Sequence, residues 1–186
     1  RMFGMLKDLL HETNENEFNK LFSRIEKYEN ISDNMELEIA NYLNKVSEGR
    51  LSSESKLEIR GMLREVTEIE SIGDSCYNLA RTINRKRNGG KDFTEKQYEH
   101  IHQMTQLTSD ALVHMIEVVK DEHHAVDVNK SFNLENEINN YRAQLKNQNV
   151  VDVNNKEYDY QMGVHYMDLI GECEKLGDYV VNVVEA

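Results

Sequence analysis

Apolar positions recur at steps of three and four along most of the chain, which is the signature of amphipathic helices. Phe18, Leu21, Phe22, Ile25, Tyr28, Ile31 and Met35 share one face and predict a helix from about Glu17 to Val46. A second stripe runs through Leu57, Met62, Leu63, Val66, Ile69, Ile72, Cys76, Leu79, Ala80 and Ile83. It predicts a helix ending near Arg87, with Ser52 or Ser53 as its N-cap. Asn88-Gly89-Gly90 stops that helix and marks a boundary between two halves, 1–90 and 91–186. Thr94 then caps a helix over about Glu95 to Lys120, with Met104, Leu107, Ala111, Leu112, Met115 and Val119 inward. Two more helices are expected, over Val126 to Asn147 and over Glu157 to Glu185, with a loop at Asn149 to Asn155. Met2 to Leu10 is a short apolar-periodic piece at the start. Val150 to Val153 is strand-like, but too short and isolated to build a sheet. The expected fold is therefore all-α.

Composition agrees. There is no Pro and there are only 9 Gly in 186 residues, so few breakers interrupt the helices. The formal net charge of -12 repels nucleic acid phosphates and attracts cations, so nucleic acid is excluded as a partner. Arg85-Lys86-Arg87 falls at a helix C-terminus, where cations are favoured. Cys76 and Cys173 lie far apart and form no CxxC pair, which points to a reducing compartment and to two small core residues. No run of about 18 apolar residues is present, so nothing in this stretch reads as a membrane span.

The two halves repeat. Glu70-Ser-Ile-Gly-Asp74-Ser-Cys-Tyr-Asn78 and Glu174-Lys-Leu-Gly-Asp178-Tyr-Val-Val-Asn182 match at every polar rung, 104 residues apart, and Gly73 and Gly177 keep the same spacing. Upstream, Glu29…Asp33 matches Glu135…Asn139, 106 residues apart. Residues four apart stack on one helix face, so each Glu-Asp-Asn ladder is an oxygen-bearing stripe about 12 Å long. Neighbouring carboxylates on such a stripe repel, and a cation between them removes the penalty. Carboxylate and amide oxygens suit hard or borderline metals, and adjacent helices of a bundle supply them together. A glycine inside each ladder costs roughly 1 kcal/mol of helix propensity, and a bare backbone there lets another helix approach closely. The bland alternative for either ladder alone is a solvated acidic face; the duplication with its glycines tips the balance toward a functional face.

Histidine offers less. Glu99-His100-Ile101-His102 contains one Glu-xx-His, whereas a di-iron bundle needs that motif twice. A di-metal oxidase is therefore the weakest reading, and these histidines are expected on exposed helix surface. His123-His124 is expected near a helix end.

At the two ladders the sequence resembles the PhoU family of phosphate-uptake regulators. The family's helical motif, Glu-Arg-Ile-Gly-Asp followed by an Asn, is nearly copied by Glu70-Ser-Ile-Gly-Asp74…Asn78 and by Glu174-Lys-Leu-Gly-Asp178…Asn182. Glu29…Asp33 and Glu135…Asn139 resemble its second motif. Ser71 and Lys175 stand where the family has Arg. Asn139 stands where it has Asp, which leaves the second site weaker or differently occupied.

The resemblance implies two tandem three-helix bundles. It also implies divalent or ferric ions, iron or zinc, held by Glu29, Asp33, Glu70, Asp74, Asn78, Glu135, Asn139, Glu174, Asp178 and Asn182. It implies regulation rather than catalysis. The second repeat's first helix starts near Glu95, so its counterpart would start about ten residues before Arg1, and Met2 to Leu10 is expected to be the tail of a truncated helix. Arg24 to Asp33 and Ile138 to Arg142 look similar to the domain carried by bacterial sodium/phosphate cotransporters. The expected setting is the cytoplasmic face of the plasma membrane, with a transmembrane phosphate transporter segment, in the same chain or separate, as partner. A free-standing adaptor that docks on a transporter or a phosphate-sensing kinase is the alternative. Self-association stays open, although acidic faces oppose it without cations.

Overall fold

Asn14 accepts hydrogen bonds from the backbone N–H groups of Asn16 and Glu17, at 2.9 and 3.1 Å, and so starts a long helix two residues earlier than its apolar stripe suggests. Ser52 does the same for the next helix through Ser55, and Thr94 with Gln97 closes a reciprocal capping box. Asp159 caps the last helix through Met162. The computed structural model describes residues 1–121 and 125–186, so His123-His124 lies outside the described residues. The helices are α1 Met2–His11, α2 Glu15–Ser47, α3 Ser53–Asn88, α4 Glu95–Val119, α5 Asn129–Asn154 and α6 Tyr160–Glu185. Among the described residues there is no strand, and no helix is long and apolar enough to cross a membrane.

α3 and α6 lie along each other as the spine. α2 packs on α3, and α1 on both, while α5 packs on α6, and α4 on both. The result is two three-helix units joined through the two ladder helices. Ile25, Ala80, Met104, Ala111, Ile138, Leu176 and Val180 are fully buried between them. Each large side chain among these contributes about 1.5–3 kcal/mol by leaving water. Cys76 and Cys173 are free, buried thiols whose pKa is pushed up to about 12 by burial, so both are core residues.

Three expectations need correction. The loop expected at Asn149 to Asn155 is helical as far as Asn154, and α6 begins at Tyr160 rather than Glu157. The cause is tertiary. Asp152 is buried and held by Gln148 at 2.7 Å and Lys96 at 3.4 Å. Val153 packs on the bare backbone of Gly163, where a Cβ would come within 2.9 Å of it. Packing overrides the β preference of Val150 to Val153. At its other end α5 begins at Asn129 rather than Val126, since Asp127 takes the backbone N–H of Asn129 in a local turn.

The apolar stripes, third, are not buried throughout: Ile31, Met35, Leu57, Met62 and Ile69 are exposed. α1 has 10 residues where α4 has 25. The first half of α4 covers Leu145 and Ile170, and their repeat counterparts Ile39 and Val66 line an open apolar groove with Met35 and Ile69. Val119, expected inward at the end of α4, is also exposed.

Candidate functional site

The glycines set the geometry of both ladders. A Cβ on Gly73 would stand 3.1 Å from Ser32 Oγ on α2, and one on Gly177 would stand 3.3 Å from Ile138 Cδ1 on α5. Ser32 and Ile138 are themselves 106 residues apart, so the same close helix contact is built twice. Each contact brings the ladder helix against the shorter motif on the helix before it.

In the first repeat this draws carboxylates together. Glu70 on α3 hydrogen-bonds Asp33 on α2. Its partial burial, that hydrogen bond and the charges of Asp33, Glu36 and Asp74 push its pKa up to about 7. Glu29 is also raised, chiefly by burial and then by the charges of Asp33 and Asp74. Asn78 donates to Asp74 at 3.4 Å, within the ladder. Among the described residues no Lys or Arg forms an ion pair with Glu29, Asp33, Glu36, Glu70 or Asp74. A proton is what relieves the Asp33–Glu70 contact near neutral pH.

The second repeat is assembled differently. Asn139 donates to Glu135, and its Oδ1 is buried without a hydrogen-bond partner among the described residues. Arg142 Nε lies 3.3 Å from Glu174 Oε2, an ion pair whose line is off that of a hydrogen bond. The same guanidinium pulls the Asp178 carboxyl down, although burial outweighs it and leaves that group raised. Asn182 turns away from its own ladder and donates to Glu68 of the first repeat at 3.0 Å.

Metal ions are what this donor set invites, and the two ladders differ in how well they fit. Glu29, Asp33, Glu70 and Asp74 are oxygen donors with unbalanced charge, facing one another across α2 and α3, and the donor chemistry fits a hard or borderline cation. Among the described residues no three His, Cys, Asp or Glu side chains close into a ready metal-binding arrangement, so a cation would have to draw them in. The second ladder fits poorly. Arg142 already supplies its positive charge, and Asn139 Oδ1 is its one open buried oxygen.

Sequence spacing found the ladders but missed Arg142 and its counterpart. The 106-residue offset places Glu36 where the second repeat has Arg142, so the signal was present in the repeat itself. The histidines are more engaged than expected. His100 Nδ1 lies 2.9 Å from the hydroxyl of the buried Tyr166, and His102 Nε2 lies 2.6 Å from His11 Nε2. His102 is exposed, but His100 is half-buried.

The PhoU domain family matches residues 1–83 and 101–186 of the chain. The crystal structure of the phosphate transport system regulatory protein PhoU from Streptococcus pneumoniae aligns with a TM-score of 0.72, over 99% of this chain and 88% of that one. Sequence identity over that alignment is 17%, so the likeness is one of fold. No curated protein matches the chain.

Proposed function

The chain belongs to the PhoU domain family, and on that premise we propose that it is a non-enzymatic regulator of phosphate transport that binds metal ions through its first repeat. The observation that carries the metal reading is the placement of Glu70 beside Asp33, among Glu29, Glu36 and Asp74, with no Lys or Arg ion-paired to any of them among the described residues. A metal bound there would neutralise these charges and tie α2 to α3. Glu29, Asp33, Glu70 and Asp74 would hold it, with Asn78 steadying Asp74. Glu135, Asn139, Glu174, Asp178 and Asn182 form the weaker half, because Arg142 stands in for the ion. The domain division at about residue 90 belongs to this reading, as does a place at the cytoplasmic face of a membrane.

Two settings are compatible with such a regulator. One is the cytoplasmic part of a sodium/phosphate cotransporter. The other is a free-standing adaptor acting on a separate transporter or a sensor kinase, and the alignment with 88% of a PhoU regulatory protein supports it equally. The reading frame upstream of the codon for Arg1 separates them. Several membrane spans there favour the first, and a start codon beside Met2 favours the second.

Elemental analysis after equilibration with zinc or iron tests the metal reading. Bound metal that disappears in the Asp74→Ala, Asp178→Ala double variant supports it. As much metal in that variant as in the unaltered protein removes the ladders as the site.

A further inference from the structure

Arg142 does more than balance Glu174. It lines a polar pocket of about 450 Å³ together with Arg81 and Arg85 from α3 and Lys175 from α6. Four cations from three helices meet there in a chain whose net charge is -12. Two carboxylates share the lining. Asp168 lies 3.5 Å from Arg85, and Glu172 lies 2.8 Å from Lys175. The lining therefore carries two more cations than carboxylates, while Glu174, just outside it, pairs with Arg142 at 3.3 Å. Arg81 spends its guanidinium on the face of Tyr77 at 5.9 Å rather than on an acid.

The internal repeat supplies an independent control. Moved by the repeat offsets, Arg142 becomes Glu36, Arg81 becomes Glu185, Asp168 becomes Arg64, Glu172 becomes Glu68 and Lys175 becomes Ser71. These counterparts also face one another's neighbours. Glu36 accepts from Thr67 at 2.9 Å, Glu68 accepts from Asn182 at 3.0 Å, and Arg64 lies 3.8 Å from Glu185. The Arg142 and Arg81 positions thus become acidic at the equivalent place on the other side of the molecule, the Asp168 position becomes basic, and the Glu172 position keeps its charge. Guanidinium forks converging on a polar cleft match the oxygens of a tetrahedral oxyanion.

We propose that the pocket between α3, α5 and α6 binds a small oxyanion, with inorganic phosphate as the free ligand and Arg81, Arg85, Arg142 and Lys175 as its contacts. Binding requires that Asp168, Glu172 and Glu174 loosen their hold on Arg85, Lys175 and Arg142. None of Glu29, Asp33, Glu70 or Asp74 lines the pocket, although Asn78, which donates to Asp74, does, and the proposal does not require a metal at those carboxylates.

Isothermal titration of the protein with inorganic phosphate, with a chelator present so that no metal-bound phosphate is counted, is the test. Saturable binding is expected, weakened at least ten-fold by Arg142→Glu and by the exposed pair Arg81→Gln, Arg85→Gln, and unchanged by Glu36→Gln. Circular dichroism of each variant shows whether the helices persist, and the Arg81, Arg85 pair keeps the question open to refutation if Arg142→Glu fails to fold. No saturable binding by the unaltered protein, or binding that survives in the folded variants, overturns the proposal. Vesicles of phosphatidylcholine with phosphatidylglycerol distinguish a headgroup from the free ion. Retention on them that Arg142→Glu abolishes would overturn the free-phosphate assignment.

Discussion

Arg142 of α5 places its Nε 3.3 Å from Glu174 Oε2 of α6, at the repeat position where the other half of the molecule sets Glu36 near Glu70. One arm of a duplicated structure thus carries its own counter-charge, and the other leaves its carboxylates uncompensated.

Opposite effects on stability follow from exchanging these charges. Arg142→Ala removes a half-exposed ion pair and should destabilise the metal-free protein by about 1 kcal/mol. Glu36→Gln removes repulsion from Glu70 while leaving an acceptor for Thr67, and should stabilise it by about 0.5 kcal/mol. Urea unfolding with a chelator present reads both, and equal signs would contradict the charge asymmetry.

Stability should also depend on pH in a particular direction. The Glu70 carboxyl has a folded pKa near 7, above the usual carboxylate value of 4.5, so the folded state holds its proton more tightly than the unfolded chain does. That contribution is complete below about pH 4.5 and is lost as pH rises through 7. Metal-free protein should therefore become less stable between pH 5 and pH 8, and Glu70→Gln should flatten the decline. Thermal midpoints across that range measure it, and a slope that the variant leaves unchanged would show that Glu70 is not its source.

Metal and proton should compete for one place. Near pH 7 Glu70 is about half protonated, so a cation that binds between Asp33 and Glu70 should release about half a proton from this group. Calorimetric titration with zinc in buffers of different ionisation enthalpy counts the protons. The count should fall in Glu70→Gln and stay the same in Glu174→Gln.

Two glycines of α6 should respond oppositely to alanine. At Gly163 a Cβ would lie 2.9 Å from Val153 Cγ2 and 3.0 Å from Asn149 Oδ1, so Gly163→Ala should destabilise by about 1–3 kcal/mol. Nothing lies within 4 Å of a Cβ at Gly171, where alanine should gain about 1 kcal/mol of helix propensity. Denaturant midpoints of the two variants decide it.

The helices and their duplication were legible in the sequence because strong 3.6-residue periodicity, caps and an exact spacing of Gly73 with Gly177 all point one way. The helical state of Asn149 to Asn154 was not legible, since it goes with tertiary contacts, the burial of Asp152 beside Lys96 and the packing of Val153 on Gly163. The exposure of Met35 and Met62 was hidden for a related reason: periodicity marks the apolar face of a helix but not the length of the neighbour that covers it. The ladder residues could be named from spacing alone. Their different electrostatic states could not, because these depend on Glu36 and Arg142, which lie outside the repeated motif. Spacing places Asn182 on its own ladder, and only the packing of α3 on α6 turns it to Glu68.

The most direct test of the asymmetry is a crystal structure of protein equilibrated with zinc, with anomalous scattering recorded at the zinc edge. An anomalous peak is expected between α2 and α3, within coordination distance of Asp33, Glu70 and Asp74, with none beside Glu174 and Arg142. Peaks of equal height in both repeats, or a peak beside Glu174 alone, would contradict the account.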